Sequence, residues 1–211
     1  MNKLGIFGTS GFAREVSDIA HDLGYEPVFI ARDEDELKSW SFSGQVILES
    51  EIHQIADAVF VIAIGENVIR EKVAKRYDST LKFINLVHPS ASFGRGQREQ
   101  LESRKGVVVC AGVRLTNNIQ VGDFTVFNLN ATVGHDVIVD SFVNMAPGAH
   151  ISGNVHIEER CWVGTGAVIN QGANDQKLVI GKGTVIGSGA VVIKDCDRDA
   201  VYVGAPAKRI K

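Results

Sequence analysis

From Val107 onward the chain repeats every six residues. The row Val109, Leu115, Val121, Phe127, Val133, Val139, Met145, Ile151, Ile157, Val163 and Ile169 is apolar throughout. The row two places earlier, Val107 to Ala167, is small or β-branched. A period of six matches neither a helix nor an alternating strand. It predicts a coil of short flat sides, each with paired inward positions and a polar corner. Successive coils would stack about 4.8 Å apart and satisfy one another's backbone groups.

The register breaks in two places. After Ile169 the apolar row resumes at Ile180, Ile186 and Val192, one residue short of two hexads, so "NQGANDQKLV" must bulge or loop. The polar segment 94–105, "GRGQREQLESRK", separates the hexad-like "VHPSAS" from the main run and reads as an exposed loop, equally able to cover a neighbouring subunit.

Before residue 84 the pattern is different. "KLGIFG", "EPVFIARD" and "AVFVIAIG" read as strands. "GFAREVSDIAHDLG" reads as a helix whose Phe12, Val16, Ile19, Ala20 and Leu23 share a face. "NVIREKVAKRY" reads as a second helix with Asn67 placed to cap it, followed by "LKFINLV". This alternation predicts a small parallel α/β unit over 1–84, ahead of the repeats over 85–211.

The bulk properties exclude several function classes. A net charge of −3 without a long Lys or Arg run leaves no electrostatic footprint for nucleic acid or a membrane surface. The longest apolar run, "AVFVIAI", is far short of the roughly 20 residues that a bilayer requires. "MNKLGIFG" lacks the pattern of a secretion signal, so a cytoplasmic location is expected. Cys110, Cys161 and Cys196 have no CxxC spacing and read as buried free thiols. His21, His53, His88, His150 and His156 lack metal-ligand spacing and read as surface or interface residues; no metal is expected.

Within the repeats, "VGHDV" places His135 and Asp136 between the inward Val133 and Val137, at a corner from which both can project outward. An imidazole titrates near neutral pH and suits a general base, and a neighbouring carboxylate can favour one tautomer. A solvated turn is the alternative.

The segments "GTSGFAREV", "AIGENVIR", "NATVGHD", "GAHISGNVHI", "WVGTGAVI", "VIGSGAVV" and "VGAPAKRI" carry a resemblance over essentially the whole chain. It resembles the hexapeptide-repeat acetyltransferases, in particular the bacterial subgroup that acetylates nucleotide-linked amino sugars or sialic acids in surface-glycan synthesis. The resemblance implies an N-terminal Rossmann-like half-domain followed by a C-terminal left-handed parallel β-helix. It also implies a homotrimer with active sites between subunits and acetyl-CoA as co-substrate.

By the same resemblance His135 is the base and Asp136 its support. Three hexads to a coil place Gly153 one coil beyond His135, where its N–H would meet the thioester oxygen; the family's matching glycine contacts acetyl-CoA. Asn144 stands where several relatives carry a second histidine near the acetyl group. Thr165 and Ser188 match contacts to the pantetheine arm or adenine end, and Lys208 and Arg209 are available to coenzyme phosphates, with ordinary solvated charges as the alternative.

In the N-terminal unit Gly8 and Gly11 flank a strand-to-helix turn suited to a phosphate. "GTSGFA" lacks the full GxGxxG fingerprint because Ser10 replaces its second glycine. The unit is long enough for one mononucleotide-binding half, which favours a nucleotide sugar over NAD. Matching positions assign Ser10, Gly11 and Phe12 to the sugar, Arg32 and Asp33 to the nucleoside end, and Gly65 to the base or ribose. Phe12 and Arg32 depart from a histidine and an acidic residue found in some members.

The expected activity is N-acetylation of a UDP- or dTDP-linked amino sugar. A sialic acid or other sugar O-acetyltransferase is the alternative enzyme. A non-catalytic β-helix scaffold and an NAD-binding regulatory unit are the alternatives from other classes.

Overall fold

The computed structural model describes residues 2–173 and 175–211. Strands β1 (Asn2–Phe7), β2 (Tyr25–Ala31), β3 (Gln45–Leu48) and β4 (Val59–Ile62) form one parallel sheet in the order β3-β2-β1-β4. Helix α1 (Gly11–Asp22) packs Ala13, Val16, Ile19 and Ala20 onto the sheet, while Leu23 falls past the helix end and is exposed. Helix α2 (Glu34–Ser39), β3 and a 3-10 turn (Glu49–Ile55) fill the stretch between β2 and β4, for which the sequence pattern predicts no element. Helix α3 (Asn67–Tyr77) opens at Asn67. That residue does not cap it: its amide nitrogen donates to the Arg160 and Cys161 carbonyls of the repeat region, and its oxygen accepts from Arg70.

The repeats wind a three-sided prism. One face, Leu86–Val87 through Val201–Val203, carries the N-terminal unit and is called here the docking face. The second face runs from Ser92–Phe93 to Val191–Val192 and the third from Gln120–Val121 to Leu178–Ile180. Partners are 18 residues apart, as in Val126↔Asn144 and Thr132↔His150. Both apolar rows point inward and are buried.

Each corner bends through a left-handed residue, a φ between 56° and 66° recurring every six positions from Asn118 to Gly166. Asn, Asp and Gly tolerate this conformation, whereas a bulky residue there costs roughly 1–2 kcal/mol. Phe124, Phe142 and Arg160 violate that preference, all on the edge between the third and docking faces. The rings of Phe124 and Phe142 stack with centroids 5.5 Å apart and pack into the core of the N-terminal unit, which offsets the strain.

Arg70 fastens the two units. It is fully buried and reaches six oxygens: the carbonyls of Ile64, Gly65, Phe124, Phe142 and Val143, and the Asn67 amide oxygen. Burial pushes its pKa down to about 9, which leaves it charged at neutral pH.

Both register breaks have a structural role. Residues 94–105 are not an exposed loop, because the prism's open apolar end needs a cover. Helix α4 (Gln97–Glu102) buries Leu101 in the repeat core, and the Gln97 amide pairs with both the N–H and the carbonyl of Ile119, standing in for a missing strand. The second break is a long coil: Ile157 pairs with Ile180, 23 residues on, where Val139 pairs with Ile157 after 18. The expected interruption is therefore a five-residue insertion at the corner between the second and third faces.

Candidate active site

His135 and Asp136 occupy the edge between the second and third faces. Gly134 precedes them because a β-carbon there would lie 2.7 Å from the Gly153 nitrogen of the next coil. Asp136 is the left-handed corner residue, with φ of 60°. The turn aims both side chains outward, and they remain about half exposed. His135 Nδ1 and Asp136 Oδ2 are 2.7 Å apart. An ionised carboxylate only accepts, so Nδ1 carries a proton and, in the neutral imidazole, Nε2 is the nitrogen with the free lone pair. The other carboxylate oxygen accepts from Asn118 Nδ2 at 2.6 Å. That bond first, and then the one to His135, hold the Asp136 pKa below the usual carboxylate range.

The imidazole lies against Gly153. The Gly153 N–H donates to no acceptor among the described residues, and Gly153 itself is buried beneath the ring. A base with a fixed tautomer beside a free N–H is the pairing that acyl transfer requires.

A second concavity, of about 480 Å³, opens at the carboxyl ends of β1, β2 and β4 and is lined by Gly8, Thr9, Ser10, Arg32, Gly65, Lys72 and Arg76, among others. Gly8 must be glycine: its φ is +123° and a β-carbon would meet the Ala63 carbonyl oxygen at 2.9 Å. The Ser10 side chain does not cap α1, so the helix's first N–H groups stay open to an anion. Arg32 pairs with Asp33 and Glu36, and Arg76 with Glu49, whereas Lys72 pairs with no carboxylate among the described residues. Glu66, also on the lining, is likewise without an ion pair among the described residues, so Lys72 and Glu66 are the two unpaired charges of the cavity.

Of the residues expected at the substrate, Ser10, Arg32 and Gly65 line this cavity, while Gly11, Phe12 and Asp33 do not. Phe12 packs half-buried against the sheet core. Asp33 caps α2, accepting from the Glu36 N–H; that bond and then Arg32 lower its pKa. Asn144 is buried on the docking face, its Nδ2 donating to the Gly65 carbonyl at 3.0 Å. Thr165 and Ser188 lie one coil apart on a different edge from His135, between the docking and second faces. Lys208 and Arg209 form an exposed strand against Val201–Val203, with Arg209 paired to Asp197 at 3.0 Å.

Within one chain, therefore, the His135 edge, the Thr165 edge and the cavity are three separate places. Asn118 and Lys72 escaped the sequence reading. Asn118 stands one coil before Asp136, so the arithmetic that paired His135 with Gly153 also points to it. The three cysteines are buried, which pushes their thiols up to about 12 and leaves them inert. Among the described residues no group of His, Cys, Asp or Glu is disposed to hold a metal ion.

Known proteins share this fold. Residues 3–77 match the PglD N-terminal domain family. GDP-perosamine N-acetyltransferase from Escherichia coli is 30% identical over 100% of this chain and 97% of its own length. The chain belongs to the hexapeptide-repeat nucleotide-amino-sugar acetyltransferases. Two solved relatives cover it end to end. WeeI from Acinetobacter baumannii is 31% identical, with a TM-score of 0.88 over 100% of both chains. The acetyltransferase domain of PglB from Neisseria gonorrhoeae, in complex with acetyl coenzyme A, is 29% identical with a TM-score of 0.84, also over 100% of both. This acetyltransferase thus has the left-handed β-helix of its family behind a Rossmann-like half-domain. No helix among the described residues is long and apolar enough to cross a membrane.

Proposed function

We propose that this enzyme transfers the acetyl group of acetyl-CoA to the amino group of a nucleotide-linked amino sugar, at His135. The observation that carries this reading is the His135 imidazole, fixed by Asp136 and seated beside the free N–H of Gly153. The amine attacks the thioester carbonyl, forming the C–N bond, and Nε2 accepts its proton. The Gly153 N–H holds the oxyanion. Collapse breaks the C–S bond, and the imidazolium returns the proton to the departing thiolate.

The cavity of the N-terminal unit suits the nucleotide, with phosphates at the open end of α1 and near Lys72, and the nucleoside toward Arg32. GDP joins UDP and dTDP as a candidate because the curated relative is named for a GDP-linked sugar. Surface-glycan synthesis is the pathway that such a product serves.

A second copy completes the site. His135 and Asp136 stay about half exposed in one chain, whereas acyl transfer gains from excluding water. The cavity adjoins the docking face and Thr165 and Ser188 lie on another edge. Packing the His135 edge of one copy onto a neighbour brings these parts together, and a closed ring of three repeats that contact.

Two variants test the reading. His135→Ala removes the base and Ser10→Trp fills the cavity, so each alone loses CoA release with GDP-, UDP- and dTDP-linked amino sugars. Mixing and reassembling them restores part of the activity if His135 and the cavity of one site come from different copies. No recovery in verified mixed oligomers sinks the shared site, and wild-type activity in His135→Ala sinks the chemistry.

A further inference from the structure

The long coil brings a lysine to the His135 corner. The insertion leaves the second face after Ile169 and rejoins the third at Leu178, folding over the edge as it passes. The Gly172 N–H donates to the Gly153 carbonyl at 3.1 Å. Half-buried Lys177 then points its Nζ at two acceptors, the Asp136 carbonyl and Asn154 Oδ1, the latter at 3.0 Å. One belongs to the corner of His135 and the other to the corner of Gly153. A single ammonium therefore ties together the two corners whose spacing sets the imidazole against the Gly153 N–H.

The tie has a chemical side. Lys177 forms no ion pair with a carboxylate among the described residues, but its charge adds to the Asn118 and His135 bonds in holding Asp136 ionised. The other charged groups nearby are Asp136 itself, the exposed Asp175 of the insertion, and Lys194 and Asp195, which share a hollow of about 310 Å³ with Lys177 and offset one another.

We propose that Lys177 is a positioning residue of the acetyl-transfer site, holding the His135 corner in register with Gly153. The proposal rests on the reading of His135 as the base. It gives the insertion a role: Lys177, carried by it, reaches back to the Asp136 carbonyl.

The test is the steady-state kinetics of CoA release by the full chain, comparing wild type, Lys177→Met, Lys177→Arg and His135→Ala. In Lys177→Met, kcat should fall about tenfold with little change in KM for acetyl-CoA. Lys177→Arg should return kcat toward its wild-type value. A wild-type kcat in Lys177→Met, or a KM for acetyl-CoA that rises as much as kcat falls, with His135→Ala inactive, overturns the role of Lys177 alone. Full activity in His135→Ala overturns the base and this proposal together.

Discussion

The ring of His135 occupies the space that a side chain on Gly153 would need: a β-carbon built there lies 2.5 Å from Nε2 and 2.6 Å from Cε1. Gly153 is not in the left-handed region, so alanine meets no backbone objection and only the ring must move. Gly153→Ala is expected to lower kcat about 100-fold while the fold persists. Steady-state kinetics beside a thermal melt will separate the two effects.

Asp136 is held ionised by Asn118 and then by His135, which depresses its native pKa. The stability it contributes is therefore complete above the unfolded carboxylate range and is lost as pH falls through the depressed value. Asn118→Ala removes the larger cause. Its melting temperature should trail wild type by a constant margin at neutral pH, and the margin should close below about pH 4. A margin that persists in acid would mean that Asn118 acts through packing.

Arg70 should be the most costly single side chain to remove. Arg70→Met leaves the carbonyls of Ile64, Gly65, Phe124, Phe142 and Val143 without this donor. A loss of about 3–5 kcal/mol in denaturant unfolding is expected. Because Gly65 also lines the cavity, a residual folded fraction should show a raised KM for the nucleotide sugar and an unchanged KM for acetyl-CoA.

Much of the prism was legible because a hexad repeat leaves little freedom: each apolar pair fixes an inward side, and eighteen-residue arithmetic alone set Gly153 over His135. Gaps in the reading arose where tertiary partners decided the outcome. Polarity made 94–105 look like a loop, yet Leu101 and Gln97 turn inward because the end of an apolar prism must be covered. Asn67 has the chemistry of a cap, but carbonyls of the repeat region claimed its amide. The buried Arg70 has no sequence signature, since its partners are backbone oxygens from distant segments. Lys177 was hidden for a similar reason: only the folded insertion shows where its ammonium lands.

The central claim is that His135 is the base of an acetyl transfer to a nucleotide-linked amino sugar. The most direct measurement is CoA release by wild type and His135→Ala across GDP-, UDP- and dTDP-linked amino sugars, with acetyl-CoA affinity determined by calorimetry. The account predicts turnover with at least one of these sugars and a loss of about 10²–10⁴-fold in His135→Ala, with acetyl-CoA binding retained. Turnover at the wild-type rate in His135→Ala, or no turnover by wild type with any nucleotide-linked amine, would contradict it.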